Sequence, residues 1–221
     1  MDVAIAGGHG QIALRLERLL SAGGHRARAI IRNRDHAADV AAAGGEPVVL
    51  DLEALAGVAA LTDAVRGADA VVFAAGAGPG SGPERKRTVD YGAAVKLIAA
   101  AQAAGVDRYV MISTVGADRP EVRGDAMRPY FEAKGEAEDA LRASDLAYTI
   151  VRPGSLTDEP GTGLVTVADH LDAWGSVPRD DVAAVLLAVL TDDRAAAATT
   201  GRTFELVSGD TPIPDALAPL R

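Results

Sequence analysis

The chain has 221 residues, 48% hydrophobic and 24% charged, an ordinary globular composition that is long enough for one sizeable core and predicts a single domain over 1–221. A net charge of −9 and a pI near 4.9 leave no basic stripe to replace phosphate counterions, so a small-molecule substrate is expected rather than nucleic acid. With no cysteine there is no disulfide framework and no thiolate metal site. The four histidines, His9, His25, His36 and His170, lack i, i+4 pairing and read as loop or surface residues, so no metal is expected. Apolar runs such as 182–190 are far shorter than a membrane span, and Met1 leads into Asp2 and a strand rather than a basic and apolar leader. A cytoplasmic protein without a membrane partner is therefore expected.

Short β-branched runs alternate with alanine-rich helical stretches. A strand near 2–6 passes through a glycine turn into a helix over 11–22. Strands near 27–31 and 47–50 come next, then a helix over 54–66 and a strand over 69–75. The Gly/Pro-rich stretch 76–83 reads as an active-site loop, followed by a helix over 87–105, a strand over 108–114, a helix over 127–144 and a strand over 147–151. Glycines at 23–24, 44–45, 67 and 105 stand where helices are predicted to end. Strands so continuous in Val, Ile and Ala are covered by helices on both faces, which predicts an α/β fold with a doubly wound, mostly parallel sheet. Beyond 152 the pattern loosens into a short strand at 164–167, a helix at 180–191 and a strand at 203–207, so 152–202 is expected to add a small C-terminal cap on the substrate side.

The first turn, Gly7-Gly-His-Gly10, opens a strand-to-helix unit where glycines permit close backbone approach and the helix N-terminus can hold a pyrophosphate. Its spacing, Gly7, Gly10 and Ala13, departs from G-x-G-x-x-G. The expected contacts are Gly7, Gly8, His9, Gly10, Gln11 and Ile12. An NAD site places an acid at the end of the second strand; here stand Arg32, Asn33 and Arg34, and a guanidinium suits a 2′-phosphate, so NADP is preferred over NAD. Asp51, beside Leu52 at the end of the third strand, either accepts from the adenine amino group or caps a helix.

Tyr130 and Lys134, four apart on a predicted helix, share one face. A neighbouring ammonium stabilises a phenolate, making tyrosine a usable acid and base. The strand over 108–114 ends in Ser113 and Thr114, which alternation sends to opposite faces, so one hydroxyl faces the cleft.

In combination these residues resemble an atypical short-chain dehydrogenase/reductase, an NAD(P)-binding Rossmann fold, to about residue 207. Gly7, Gly10 and Ala13 match the phosphate loop and Arg32 the basic residue of NADP-preferring members. Ala74-Ala75-Gly76 matches the turn along the cofactor, and Pro153-Gly154 resembles the segment that approaches the nicotinamide. Thr114 best matches the catalytic hydroxyl, with Ser113 beside it; Tyr130 and Lys134 match the acid/base and its supporting lysine, which also holds the nicotinamide ribose. Asp90 stands where many members carry asparagine, and an ionised carboxylate cannot donate. The substrate region is shorter than in sugar-nucleotide epimerases, so a bulky nucleotide-sugar is not expected.

The resemblance implies an NADP(H)-dependent oxidoreductase acting on a small carbonyl, alcohol or conjugated acceptor, as monomer or homodimer. Two alternatives stand beside it: flavin- or biliverdin-reductase-like activity that does not need the tyrosine, and an NmrA-like sensor that binds NADP(H) without turnover.

Overall fold

In the computed structural model, which describes residues 1–78, 80–218 and 220, the first strand β1 (Asp2–Ala6) is packed on both faces. Val3 and Ile5 join the core beneath helix α1 (Gln11–Ala22), while Ala4 and Ala6 join a second core on the opposite side. Period-two alternation of apolar side chains is what places one strand between two helical layers. β2 (Arg26–Ile31) leads through a 3₁₀ turn (Arg34–His36) into α2 (Ala37–Ala42), followed by β3 (Glu46–Val49), α3 (Ala59–Val65) and β4 (Ala70–Phe73). The predicted helix over 87–105 begins earlier, at α4 (Pro83–Lys86), and passes through a π-helical turn (Arg87–Ala93) into α5 (Ala94–Ala104). Next come β5 (Arg108–Ile112), α6 (Arg128–Arg142) and β6 (Ala147–Pro153).

β1 to β6 lie in the order β3-β2-β1-β4-β5-β6, all parallel. The strand order reverses between β1 and β4, and such a switch point opens a crevice beyond the strands' carboxyl ends. α1 carries one core; α3, α5 and α6 carry the other.

The remainder divides between the sheet and a small ribbon. β7 (Ser155–Thr157) pairs only with β9 (Ser176–Pro178), whereas β8 (Leu164–Ala168) joins the main sheet antiparallel to β10 (Arg202–Ser208), itself parallel to β6. α7 (Arg179–Thr191) packs on α1, followed by α8 (Asp193–Thr199). β11 (Thr211–Pro212) pairs with β8 and leads into α9 (Ile213–Leu217). Within 152–202, β7 and β9 form a separate two-stranded ribbon, while β8 joins the main sheet and α7 its core. Among the described residues no helix is long and apolar enough to cross a membrane.

Candidate functional site: a nucleotide cleft at the switch point

Gly7 sits at the sheet edge with φ +83°, and a Cβ there would lie 2.6 Å from Ala75 Cα. Only glycine lets the two turns touch, since the neighbour is backbone and cannot move aside. The turn closes by Gly10 N–H donating to Gly7 O at 2.8 Å, and no side chain caps α1 behind it. An uncapped helix start beneath a glycine turn is an anion cradle.

A cleft of about 340 Å³ opens here. Its walls hold Gly7, His9 and Gly10 from the glycine loop, Arg32 and His36 from the turn after β2, Asp51 and Leu52 after β3, and Ala74, Ala75 and Gly76 after β4. Nine of the expected cofactor contacts thus meet in one space: Gly7, His9, Gly10, Arg32, Asp51, Leu52, Ala74, Ala75 and Gly76. Its apolar and backbone walls, with an uncapped helix at one end, suit a dinucleotide.

The other expected contacts lie around it. Gly8 is packed against Ala29, while Gln11 and Ile12 form the first turn of α1. Asn33 caps the 3₁₀ turn, accepting Asp35 N–H at 3.0 Å, and Arg34 follows it on the exposed side. Pro153 and Gly154 are engaged with their own neighbours: Pro153 O accepts from Val115 N–H at 3.0 Å and Gly154 N–H donates to Leu206 O at 2.9 Å. Asp51 does not cap α3, which begins at Ala59 with Val58 before it. Its Oδ1 accepts Glu53 N–H at 3.0 Å, and 52–55, predicted as helix from 54, is a turn. The reason is Lys96, reaching from α5 to donate to Leu52 O and Leu55 O at 2.8 Å and to Glu53 O at 3.3 Å.

Deeper in, Lys134 is buried, its Nζ 3.5 Å from Asp90 Oδ1 and donating to Ile112 O at 3.2 Å and Ala75 O at 3.5 Å. Asp90, fully buried, accepts Ala77 N–H at 3.2 Å through Oδ2. It is delivered by the π-helical turn, whose extra residue re-aims the side chains of an otherwise regular helix. Tyr130, half-buried one helical turn before Lys134, lies under Lys86 Nζ, 5.2 Å from its ring centroid, and edge-on to Phe131. Its hydroxyl has no hydrogen-bond partner among the described residues.

Tyr109 and Met111 join the core under α5 and α6, and Val110 and Ile112 the one under α1, so continued alternation turns Ser113 toward α6 and Thr114 away from it. Ser113 is buried, with its hydroxyl unpartnered among the described residues; Thr114 Oγ1 turns back to Val115 O at 3.4 Å. Register therefore puts Ser113, rather than Thr114, on the sheet face that α6 covers.

Arg152 forms a buried bidentate pair with Glu138, at 2.9 and 2.6 Å, and a 2.9 Å pair with Asp118. Burial opposes the charge on Asp118, but Arg152 outweighs it and holds that carboxyl below its ordinary value. Glu205 accepts Leu171 N–H at 2.7 Å and pairs with Arg119 at 3.2 Å, tying the loop before β9 to the sheet. In that loop Trp174 lies against Gly116, at φ +85°, where a Cβ would come within 2.5 Å of the indole.

The family model described as NAD(P)H-binding matches residues 7–193, from the glycine turn to the start of α8. The chain belongs to this NAD(P)H-binding family. A relative from Bacillus subtilis strain 168, named as an uncharacterized sugar epimerase, YhfK, is 40% identical over 221 residues and the match covers all of both chains. A provisionally named NAD-dependent epimerase/dehydratase of Bacillus halodurans has a solved structure with TM-score 0.91, 37% identity and 99% of each chain covered. The structure of an oxidoreductase, ylbE, from Lactococcus lactis gives TM-score 0.83 at 28% identity, covering all of this chain and 96% of that one. The names of these relatives are of the oxidoreductase and epimerase type, and the fold this chain shares with them is a Rossmann-like α/β fold.

Asp90 was marked by sequence only as standing where many members carry asparagine, and Lys96, Glu53, Arg85 and His36 were not singled out as binding residues. A lone lysine in the apolar run 93–104 is a signal that could have found Lys96. Nothing local marks the other three.

Proposed function

We propose that the protein is an NADP(H)-dependent oxidoreductase that transfers hydride between the nicotinamide and a small carbonyl, alcohol or conjugated acceptor. The observation that carries the cofactor choice is the end of β2: Arg32 lines the cleft, Arg34 follows, and neither guanidinium has an ion-pair partner among the described residues. Among the described residues no acid lines that wall where β2 ends, and unpaired guanidinium forks suit a phosphate monoester.

The dinucleotide, when bound, supplies the hydride; the protein supplies position and a proton. Gly7, Gly10 and the start of α1 hold the pyrophosphate, and Ala74 to Gly76 give a backbone wall along it. Tyr130 exchanges the proton with the substrate oxygen, and Ser113 orients that oxygen. Lys134 fixes the Ala75 turn and brings positive charge near Tyr130.

A second reading has one observation in its favour. Lys134 already faces Asp90 and two carbonyls, so its charge is compensated rather than directed at Tyr130. Hydride transfer to a flat conjugated acceptor, as in flavin or biliverdin reduction, needs no phenolic acid.

Calorimetry with NADPH and NADH on wild type and Arg32→Ala tests the proposal. Tight NADPH binding that falls to the NADH value in the variant supports it; no binding of either overturns it. An acceptor screen with Tyr130→Phe then separates the two readings.

A further inference from the structure

The turn after β2 carries a third group beside its arginines. His36 stacks on His9 of the glycine loop, ring centroids 3.6 Å apart and planes within 15°. His9 is held in turn from α2, its Nε2 2.8 Å from Asp39 Oδ2. Asp39, His9 and His36 thus tie three segments together: α2, the pyrophosphate loop and the turn bearing Arg32.

Both imidazoles and Arg32 line the same cleft. The ring nitrogens of His36, like the guanidinium of Arg32, have no hydrogen-bond partner among the described residues. The acids nearest along the cleft are already engaged. Glu53 is bound by Thr88 Oγ1 at 2.5 Å and by Arg85 Nε at 3.5 Å, and Asp51 accepts the Glu53 amide. An imidazole fixed by a stack beside an unpartnered guanidinium, facing a cleft whose two carboxylates each already accept a hydrogen bond, forms a preorganised anion subsite. Preorganisation matters because a ligand group then binds without first ordering the turn.

We propose that His36 is a ligand of the cofactor's ribose 2′-phosphate, donating to it alongside Arg32, and that its stack on His9 sets its position. This deepens the NADP(H) reading above and rests on it. A monoester has terminal oxygens enough for both a guanidinium fork and an imidazole N–H, and a charge-assisted bond of this kind is the stronger sort. Discrimination between NADP and NAD is then shared between Arg32 and a residue that no linear motif marks.

The test is calorimetry with NADPH, NADH, 2′,5′-ADP and 5′-ADP on wild type, His36→Ala and His36→Gln, with thermal melts as a check on folding. His36→Ala is expected to weaken NADPH and 2′,5′-ADP about five- to tenfold and the two ligands without the 2′-phosphate less than twofold. His36→Gln, which keeps a donor, is expected to recover part of that loss. Equal weakening of all four ligands assigns His36 a merely structural part and overturns the proposal, as does no change in any. A wild type that binds neither dinucleotide, or binds both with no dependence on the 2′-phosphate, overturns the NADP(H) reading and this one together, whereas a 2′-phosphate preference that His36→Ala leaves intact overturns only the His36 assignment.

Discussion

Lys134 and Asp90 face each other at 3.5 Å with both side chains closed to solvent, and Lys134 directs its remaining donors at Ile112 O and Ala75 O. Two of the ammonium's three N–H groups thus have backbone acceptors, and Asp90 opposes its charge as an ion pair. The pair joins α6, the π-helical turn and the Ala75–Ala77 backbone around one end of the cleft. Removing one partner leaves a buried charge uncompensated. Lys134→Met is expected to lower stability by about 3–5 kcal/mol, and the double variant Asp90→Asn/Lys134→Met to recover a large part of it. Urea unfolding of the two singles and the double closes the cycle; additive losses would mean the pair is not coupled.

The same geometry makes the weight of Tyr130 measurable. If it gives or takes the proton, Tyr130→Phe lowers turnover of a carbonyl acceptor by roughly a hundredfold or more, the usual size of a general-acid contribution. With a flat conjugated acceptor the variant is expected to lose less than about twofold. Steady-state rates on both acceptor types with NADPH decide between a tyrosine-dependent and a tyrosine-independent enzyme.

Lys96 gives a contrast with His36. It fixes the turn 52–55, which forms the wall beside Asp51 and Leu52, by donating to three backbone carbonyls. Lys96→Met strands those carbonyls and is expected to cost about 1–3 kcal/mol of stability. NADPH and NADH should weaken alike, because the adenosine wall serves both. Selective loss of NADPH would show that Lys96 acts on the 2′-phosphate end instead.

Much of the layered fold was legible in the sequence, because β-branched runs and glycine breaks carry period and punctuation. β1, the glycine loop, α1 and α6 lie within a residue or two of their predicted spans. Ala37–Ala42 and Asp193–Thr199 escaped, being short helices whose alanine-rich composition has little amphipathic contrast. At the site, contacts local to one turn were readable, such as Gly7 with Gly10. Contacts between distant segments were not: His9 meets His36 only after β2 is laid beside β1, and Asp90 meets Lys134 only through a π turn that residue pattern does not encode. Which of Ser113 and Thr114 faces α6 followed only from strand register, which needs the packed faces to be known.

One buried acid outside the cleft sets a pH dependence of stability. Glu17 on α1 is fully buried against Gly45, with neither carboxylate oxygen hydrogen-bonded among the described residues. Burial pushes its carboxyl up to about 8 from 4.5, and nearby Arg18 only partly opposes this. A folded value above the unfolded one means that folding takes up a proton, so the contribution is complete below about 4.5 and is lost as pH rises toward 8. Asp2 and Asp118 are shifted the opposite way, held low by their arginines, and their contributions fade only on the acid side. Between pH 5.5 and 8.5 Glu17 is therefore expected to make stability fall as pH rises. Wild type is expected to melt progressively lower across that range, while Glu17→Met, close in volume and uncharged, should melt at nearly constant temperature and above wild type at pH 8.5. Melts at three pH values on both proteins are enough: a slope that survives in Glu17→Met would place the titrating group elsewhere.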